Sequence, residues 1–83
     1  MSKDTPDAAQ VRKMKRLAEY ATSLGFKVVT RYDGSFYIEK PHVSFIYRFG
    51  SLFEMWDYKT DNLPIMTYLK TMRTIRKLAE ETK

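Results

Sequence analysis

The sequence predicts a single α+β domain of order α-β-β-β-β-α, an antiparallel meander sheet with two helices packed on one face. Three observations lead to this fold class. Apolar residues recur at helical spacing at both ends of the chain, over residues 6–24 and from residue 63 onward. Between them, "RYDGSFYIEKPHVSFIYRFGSLFEMW", residues 31–56, is dense in the aromatic and β-branched residues that strands favour. That stretch is broken at Asp33–Gly34, Pro41–His42 and Gly50–Ser51, each a turn signal. A chain of 83 residues buries one small core and has little room for a deep pocket. Residues 1–83 are therefore read as one unit, with residues 1–5 a flexible lead-in.

The first helix is expected over residues 6–24. Thr5 or Asp4 can cap it, and Pro6 suits the first turn. Val11, Met14, Leu17, Ala18, Ala21 and Leu24 form its apolar stripe, with Arg12, Arg16, Glu19 and Ser23 on the opposite side. Gly25 ends it, because glycine takes the left-handed conformation cheaply.

Strands follow over residues 26–32 and 35–40. A two-residue Asp33–Gly34 turn would set Val28 opposite Glu39 and mix the two faces. A three-residue loop, with Gly34 left-handed at a bulge, separates them. It pairs Arg31 with Ser35, Thr30 with Phe36, Val29 with Tyr37, Val28 with Ile38 and Lys27 with Glu39. This register is preferred. Pro41–His42 then leads to a strand over 43–49, and Gly50–Ser51 to a strand over 52–58. Two-residue turns would set Ile38 against Phe45, Phe36 against Tyr47, Phe49 against Leu52 and Phe45 against Trp56. "YKTDN" reads as a polar loop, and the last helix starts near Leu63–Pro64, capped by Asp61 or Asn62. Its stripe is Ile65, Leu69, Met72, Ile75 and Ala79, widened by Tyr68 and Leu78.

On this reading the core face of the sheet carries Phe26, Val28, Phe36, Ile38, Phe45, Tyr47, Phe49, Leu52 and Trp56. Glu54 falls on the same parity, a misfit that marks a bulge or the end of regular pairing. The other face carries Val29, Tyr37, Ile46, Phe53 and Met55, flanked by Arg31 and Arg48. A contiguous apolar group of this kind marks an interface. Its partner is a protein or a second copy, with arginine at the rim, or nucleic acid with bases stacked on the aromatic rings.

The net charge of +5 is unevenly spread. Residues 11–24 carry Arg12, Lys13, Lys15 and Arg16 against Glu19, and residues 62–83 carry Lys70, Arg73, Arg76, Lys77 and Lys83 against Glu80 and Glu81. The strands between are balanced. A cationic excess on two helices suits contact with the phosphates of RNA or duplex DNA through Arg12, Lys13, Arg16, Lys70, Arg73, Arg76 and Lys77.

Signals for chemistry are sparse. The chain has no cysteine, which excludes disulfides, thiolate zinc sites and cysteine nucleophiles and fits a reducing compartment. Its three glycines, Gly25, Gly34 and Gly50, are accounted for by a cap and two turns, so none builds a phosphate loop. His42 is the single histidine, placed in a turn, where it could serve only as the general base of a small RNase. No metal, cofactor or small-molecule substrate is implied. No apolar run approaches the roughly 18 residues of a spanning helix, and residues 1–10 have no apolar stretch of signal type. The expected setting is cytoplasmic and non-membrane.

Leu24-Gly25-Phe26 at the end of the first helix and Gly34-Ser35 after the first strand resemble the HicA-type toxins, small mRNA-cutting proteins with a double-stranded-RNA-binding-like fold. The resemblance spans about a third of the chain and implies the α+β fold class. That family follows its glycine-serine pair with a catalytic histidine, whereas Phe36 stands here. The activity is therefore not carried over.

Two functions follow from the sequence. The first is a non-enzymatic nucleic-acid-binding protein acting through the basic helix faces. The alternative is a protein-binding inhibitor, adaptor or homodimer, of a size common among proteins of mobile elements, acting through the outer sheet face.

Overall fold

Helix α1 (Ala8–Ser23) buries Met14, Leu17, Ala18 and Ala21, the centre of the apolar stripe. The structure, a computed structural model, describes residues 8–31, 34–40, 42–49, 52–57 and 61–81, so the expected caps Asp4 and Thr5, the first-turn Pro6 and the lead-in lie outside the described residues. The C-terminus of α1 is a Schellman motif. Gly25 has φ 98°, its N–H donates to Thr22 O at 3.0 Å, and the Phe26 N–H donates to Ala21 O at 3.2 Å. Phe26, next in the chain, packs against the core.

Strands β1 (Val28–Thr30) and β2 (Phe36–Ile38) pair antiparallel in the register the three-residue loop requires, Val28 with Ile38, Val29 with Tyr37 and Thr30 with Phe36. Gly34, at φ 89°, donates its N–H to Arg31 O at 3.1 Å, and Arg31 N–H donates to Ser35 O at 2.9 Å. The Lys27–Glu39 pair forms at 3.6 Å. Strand β3 (Val43–Phe49) follows, then β4 (Leu52–Asp57). The β2–β3 register departs from expectation. Phe36 faces Phe45 and Ile38 faces Val43, a slip of two residues. The connection is longer than a two-residue turn, and His42 sits in the left-handed region at φ 67°. A slip of two preserves parity, so both core faces stay inward. Phe36 and Phe45 stack in the core with centroids 5.0 Å apart.

The β3–β4 pairing departs in a way that matters more. Phe49 faces Leu52 as expected, but the register shifts between Tyr47 and Phe49, so Phe45 faces Met55 rather than Trp56, and Tyr47 faces Phe53. A slip of one residue flips a strand. Phe53 and Met55, expected on the outer face, are therefore buried in the core at 0% and 4% exposure. Leu52, Glu54 and Trp56, expected inside, move to the other parity. The physical reason is Glu54. In the unshifted register its carboxylate would point into an apolar core, at a cost no local contact could offset. The shift puts it outside, where its Oε2 lies 3.8 Å from Arg48 Nε.

A fifth strand, β5 (Asp61–Thr67), occupies the segment read as a loop and helix start. It pairs with β4 at the sheet edge, setting Phe53 opposite Met66 and Glu54 opposite Ile65. Proline is tolerated in an edge strand, where an outward N–H has no ladder partner to lose. Helix α2 (Tyr68–Glu81) then begins four residues after Pro64. Its cap is neither Asp61 nor Asn62 but Thr67, whose Oγ1 accepts the Lys70 N–H at 3.3 Å. The buried stripe of α2 is Thr71, Ile75 and Ala79, with Tyr68, Met72 and Leu78 packed beside it. Ile65 and Leu69, expected in that stripe, are instead 42% and 64% exposed. Fully buried Thr71 is satisfied by donating its hydroxyl to Thr67 O at 2.8 Å.

The result is α+β as the sequence predicts. A five-stranded antiparallel sheet of order β1-β2-β3-β4-β5 is covered on one face by both helices. The core lies between them, formed by Met14, Leu17 and Ala21 of α1, Ile75 of α2, and Phe36, Ile38, Phe45, Phe53, Met55 and Met66 of the sheet.

Candidate nucleic-acid and partner interfaces

Two surfaces come out of this arrangement. The first is the solvent side of the helical layer. Arg12 and Arg16 of α1 are exposed, and Lys13 is half-buried on the flank of the same helix. On α2, Lys70, Arg73, Arg76 and Lys77 are all exposed. Lys70, Arg73 and Lys77 fall at spacings of three and four, so they share one face of the helix with Thr74 and form a shallow cationic depression against Thr67. Among the described residues, the ion pair made by any of these seven is Arg76 Nε to Glu80 Oε1 at 3.6 Å, a weak exposed i,i+4 contact. The seven cations thus lie on one layer of the molecule, on two helices that share a core.

The second surface is the outer face of the sheet. The paired positions Val29, Tyr37, Ser44 and Trp56 run across four strands, and Ile46, Glu54 and Ile65 form a parallel row. Val29 and Ile65 are 45% and 42% exposed, and Tyr37, Ile46 and Trp56 are half-buried. Arg31 and Arg48 are exposed near this face. Of the seven residues the sequence assigns to the face, Val29, Arg31, Tyr37, Ile46 and Arg48 are accessible there, and Phe53 and Met55 are not. Trp56 and Ile65 replace them. The misplaced Glu54 was the signal in the sequence that would have exchanged Phe53 and Met55 for Trp56; Ile65 comes from β5, which that signal does not reach.

His42 is exposed beside this face, where its Nδ1 and the Tyr37 hydroxyl share a hydrogen bond. The Tyr37 and His42 rings lie 6.0 Å apart. Phe36, at the position of the catalytic histidine in the HicA-type toxins, is fully buried and belongs to the core. Among the described residues no three His, Asp or Glu side chains gather closely enough to hold a metal ion, and no helix is long and apolar enough to cross a membrane.

Comparison with known proteins found no matching family model, no matching curated protein and no matching solved structure.

Proposed function

We propose that the protein binds nucleic acid, RNA or a duplex backbone, through the solvent side of its helical layer. Arg12, Lys13 and Arg16 of α1 and Lys70, Arg73, Arg76 and Lys77 of α2 supply the contacts. The observation that supports this reading is the gathering of seven cations on two helices that cover the same face of the sheet, with one weak ion pair to them among the described residues. Unpaired lysine and arginine on neighbouring helices suit a polyanion, because each phosphate contact releases condensed counterions. No groove-reading element is required, so the expected binding tracks backbone charge more than sequence. A cysteine-free chain of this kind would act in the cytoplasm.

The test is a gel-shift titration against single-stranded RNA, duplex RNA and duplex DNA at two salt concentrations. Micromolar or tighter binding that weakens steeply with salt supports the reading, and no binding to any of the three at low salt removes it. Trp56 fluorescence, followed in the same titration, separates the two surfaces. Trp56 lies on the sheet face away from the helices, so binding by the helical layer leaves it unchanged.

A second reading, a protein partner or second copy on the outer sheet face, is favoured by the exposure of Val29 and Ile65 on the same face as Trp56. It predicts that Ile65→Asp abolishes association and leaves the fold intact.

A further inference from the structure

Neither reading uses the open edge of the sheet at β1. Arg31 N–H donates to Ser35 O and Glu39 N–H donates to Lys27 O. Residues bonded to the neighbouring strand alternate along an antiparallel ladder. The peptide groups of Lys27, Val29 and Arg31 therefore point at β2, and those of Val28 and Thr30 point away from it. β1 is first in the sheet order, so no described strand accepts them. Beside this edge runs a groove of about 410 Å³, lined by Val11, Lys15 and Ala18 of α1 and by Val28, Thr30 and Arg31. Val11 is 36% exposed at its mouth.

We propose that this edge takes up an extended acidic segment of a partner protein as a sixth strand. The backbone of such a segment would bond to the N–H and C=O groups of Val28 and Thr30. Its side chains would alternate. One set enters the groove against Val11, Ala18 and Val28, and must be apolar. The other set lies on the outer face beside Lys27, Val29 and Arg31, and is best acidic. Charge selects the occupant. Arg31 has no described ion pair, and Lys27 meets Glu39 only at 3.6 Å with its own side chain 77% exposed. Glu19 also lines the groove and repels an acidic residue on that side, which favours carboxylates on the outer face. A second copy of the chain is a poorer occupant. Each copy carries +5, and pairing about Val29 sets Lys27 of one copy against Arg31 of the other twice over.

The probe is a capped heptapeptide of alternating valine and glutamate, titrated into the ¹⁵N-labelled full chain. The expected result is a shift of the Val28 and Thr30 amides and a slowing of their hydrogen exchange. The same peptide with lysine for glutamate should not bind. Thr30→Pro removes an N–H that β2 does not use, so the sheet survives and the affinity falls about tenfold. Arg31→Glu, at an exposed position, serves as a second variant and should weaken binding similarly. Four outcomes overturn the proposal: no binding at millimolar peptide, equal binding by both variants, shifts confined to the helical layer or to the Trp56 face, or edge amides already protected in a chain that sediments as a dimer. Each outcome is read separately from the nucleic-acid titration.

Discussion

Phe53 sits between Tyr47 and Tyr68, with ring centroids 6.4 and 6.2 Å away, and is fully buried. As a surface residue it would tolerate a charge without loss of stability; as a core residue it cannot. Phe53→Ala is expected to cost about 3–5 kcal/mol, most of what a domain of this size has to spare, and a urea titration reads it directly. A midpoint within error of the parent would place the ring outside and restore the unshifted register. Gly25 gives a second prediction at this scale. Its φ of 98° suits glycine, and nothing lies within 4 Å of where a Cβ would stand. Gly25→Ala therefore costs about 1 kcal/mol from backbone strain alone, with no steric contribution. Gly34→Ala would be strained in the same way at φ 89°, and its added Cβ would meet Val11 at 3.6 Å, an ordinary contact.

Among the elements, the β5–α2 junction carries the most local information. Thr67 ends the strand, caps the helix with its hydroxyl and accepts the Thr71 hydroxyl on its carbonyl. One residue thus stops one periodicity and starts the other. Thr67→Ala should destabilise the protein by about 1 kcal/mol, a fall in Tm of about 5 °C for a chain this small, while Thr67→Ser retains most of the stability. Calorimetry on the three chains tests this. If alanine and serine behave alike, the cap contributes nothing and β5 alone sets where α2 begins. Met66, the neighbour of Thr67, is buried opposite Phe53. The strand therefore has its own hold on the core, and α2 does not carry the segment alone.

The whole molecule carries its cationic excess on the helical layer. The cations proposed to meet phosphate lie on the helices, whereas the sheet face opposite carries Val29, Tyr37, Trp56 and Ile65, with Arg48 and Lys27 set against Glu54 and Glu39. A double variant, Arg73→Glu with Lys77→Glu, changes two exposed side chains and should leave Tm within a few degrees. Its effect on nucleic-acid affinity should be large and uniform across sequences. Neutralising one phosphate-contacting lysine, as in Lys70→Gln, should lower the salt slope by about one. A double variant that binds as tightly as the parent would show that the helical layer is a solvated face. Attention would then pass to the sheet, where Trp56 fluorescence reports any partner that docks.

Local chemistry made part of this protein legible. The helix end at Gly25 follows from glycine's access to the left-handed region. The β1–β2 register, from Lys27 against Glu39 to Arg31 against Ser35, follows from a loop in which Gly34 takes that conformation at least cost, and from the need to keep Val28 and Ile38 on one face. The parity of β2 and β3 is legible although their connection is longer than two residues, because a slip of two leaves faces unchanged. The cationic helix faces were legible because charge and helical period are both properties of sequence. Three features were settled by tertiary structure. The shift at Arg48 depends on whether Glu54 or the pair Phe53 and Met55 meets a core whose residues come from both helices and three other strands, from Met14 to Ile75. Strand β5 depends on β4 offering an edge, which local periodicity cannot register. The rotation of the α2 stripe, burying Thr71 and exposing Leu69, follows from where β5 delivers the chain. In each case short-range preferences were nearly balanced, and the free energy of burying one set of side chains in place of another decided the outcome.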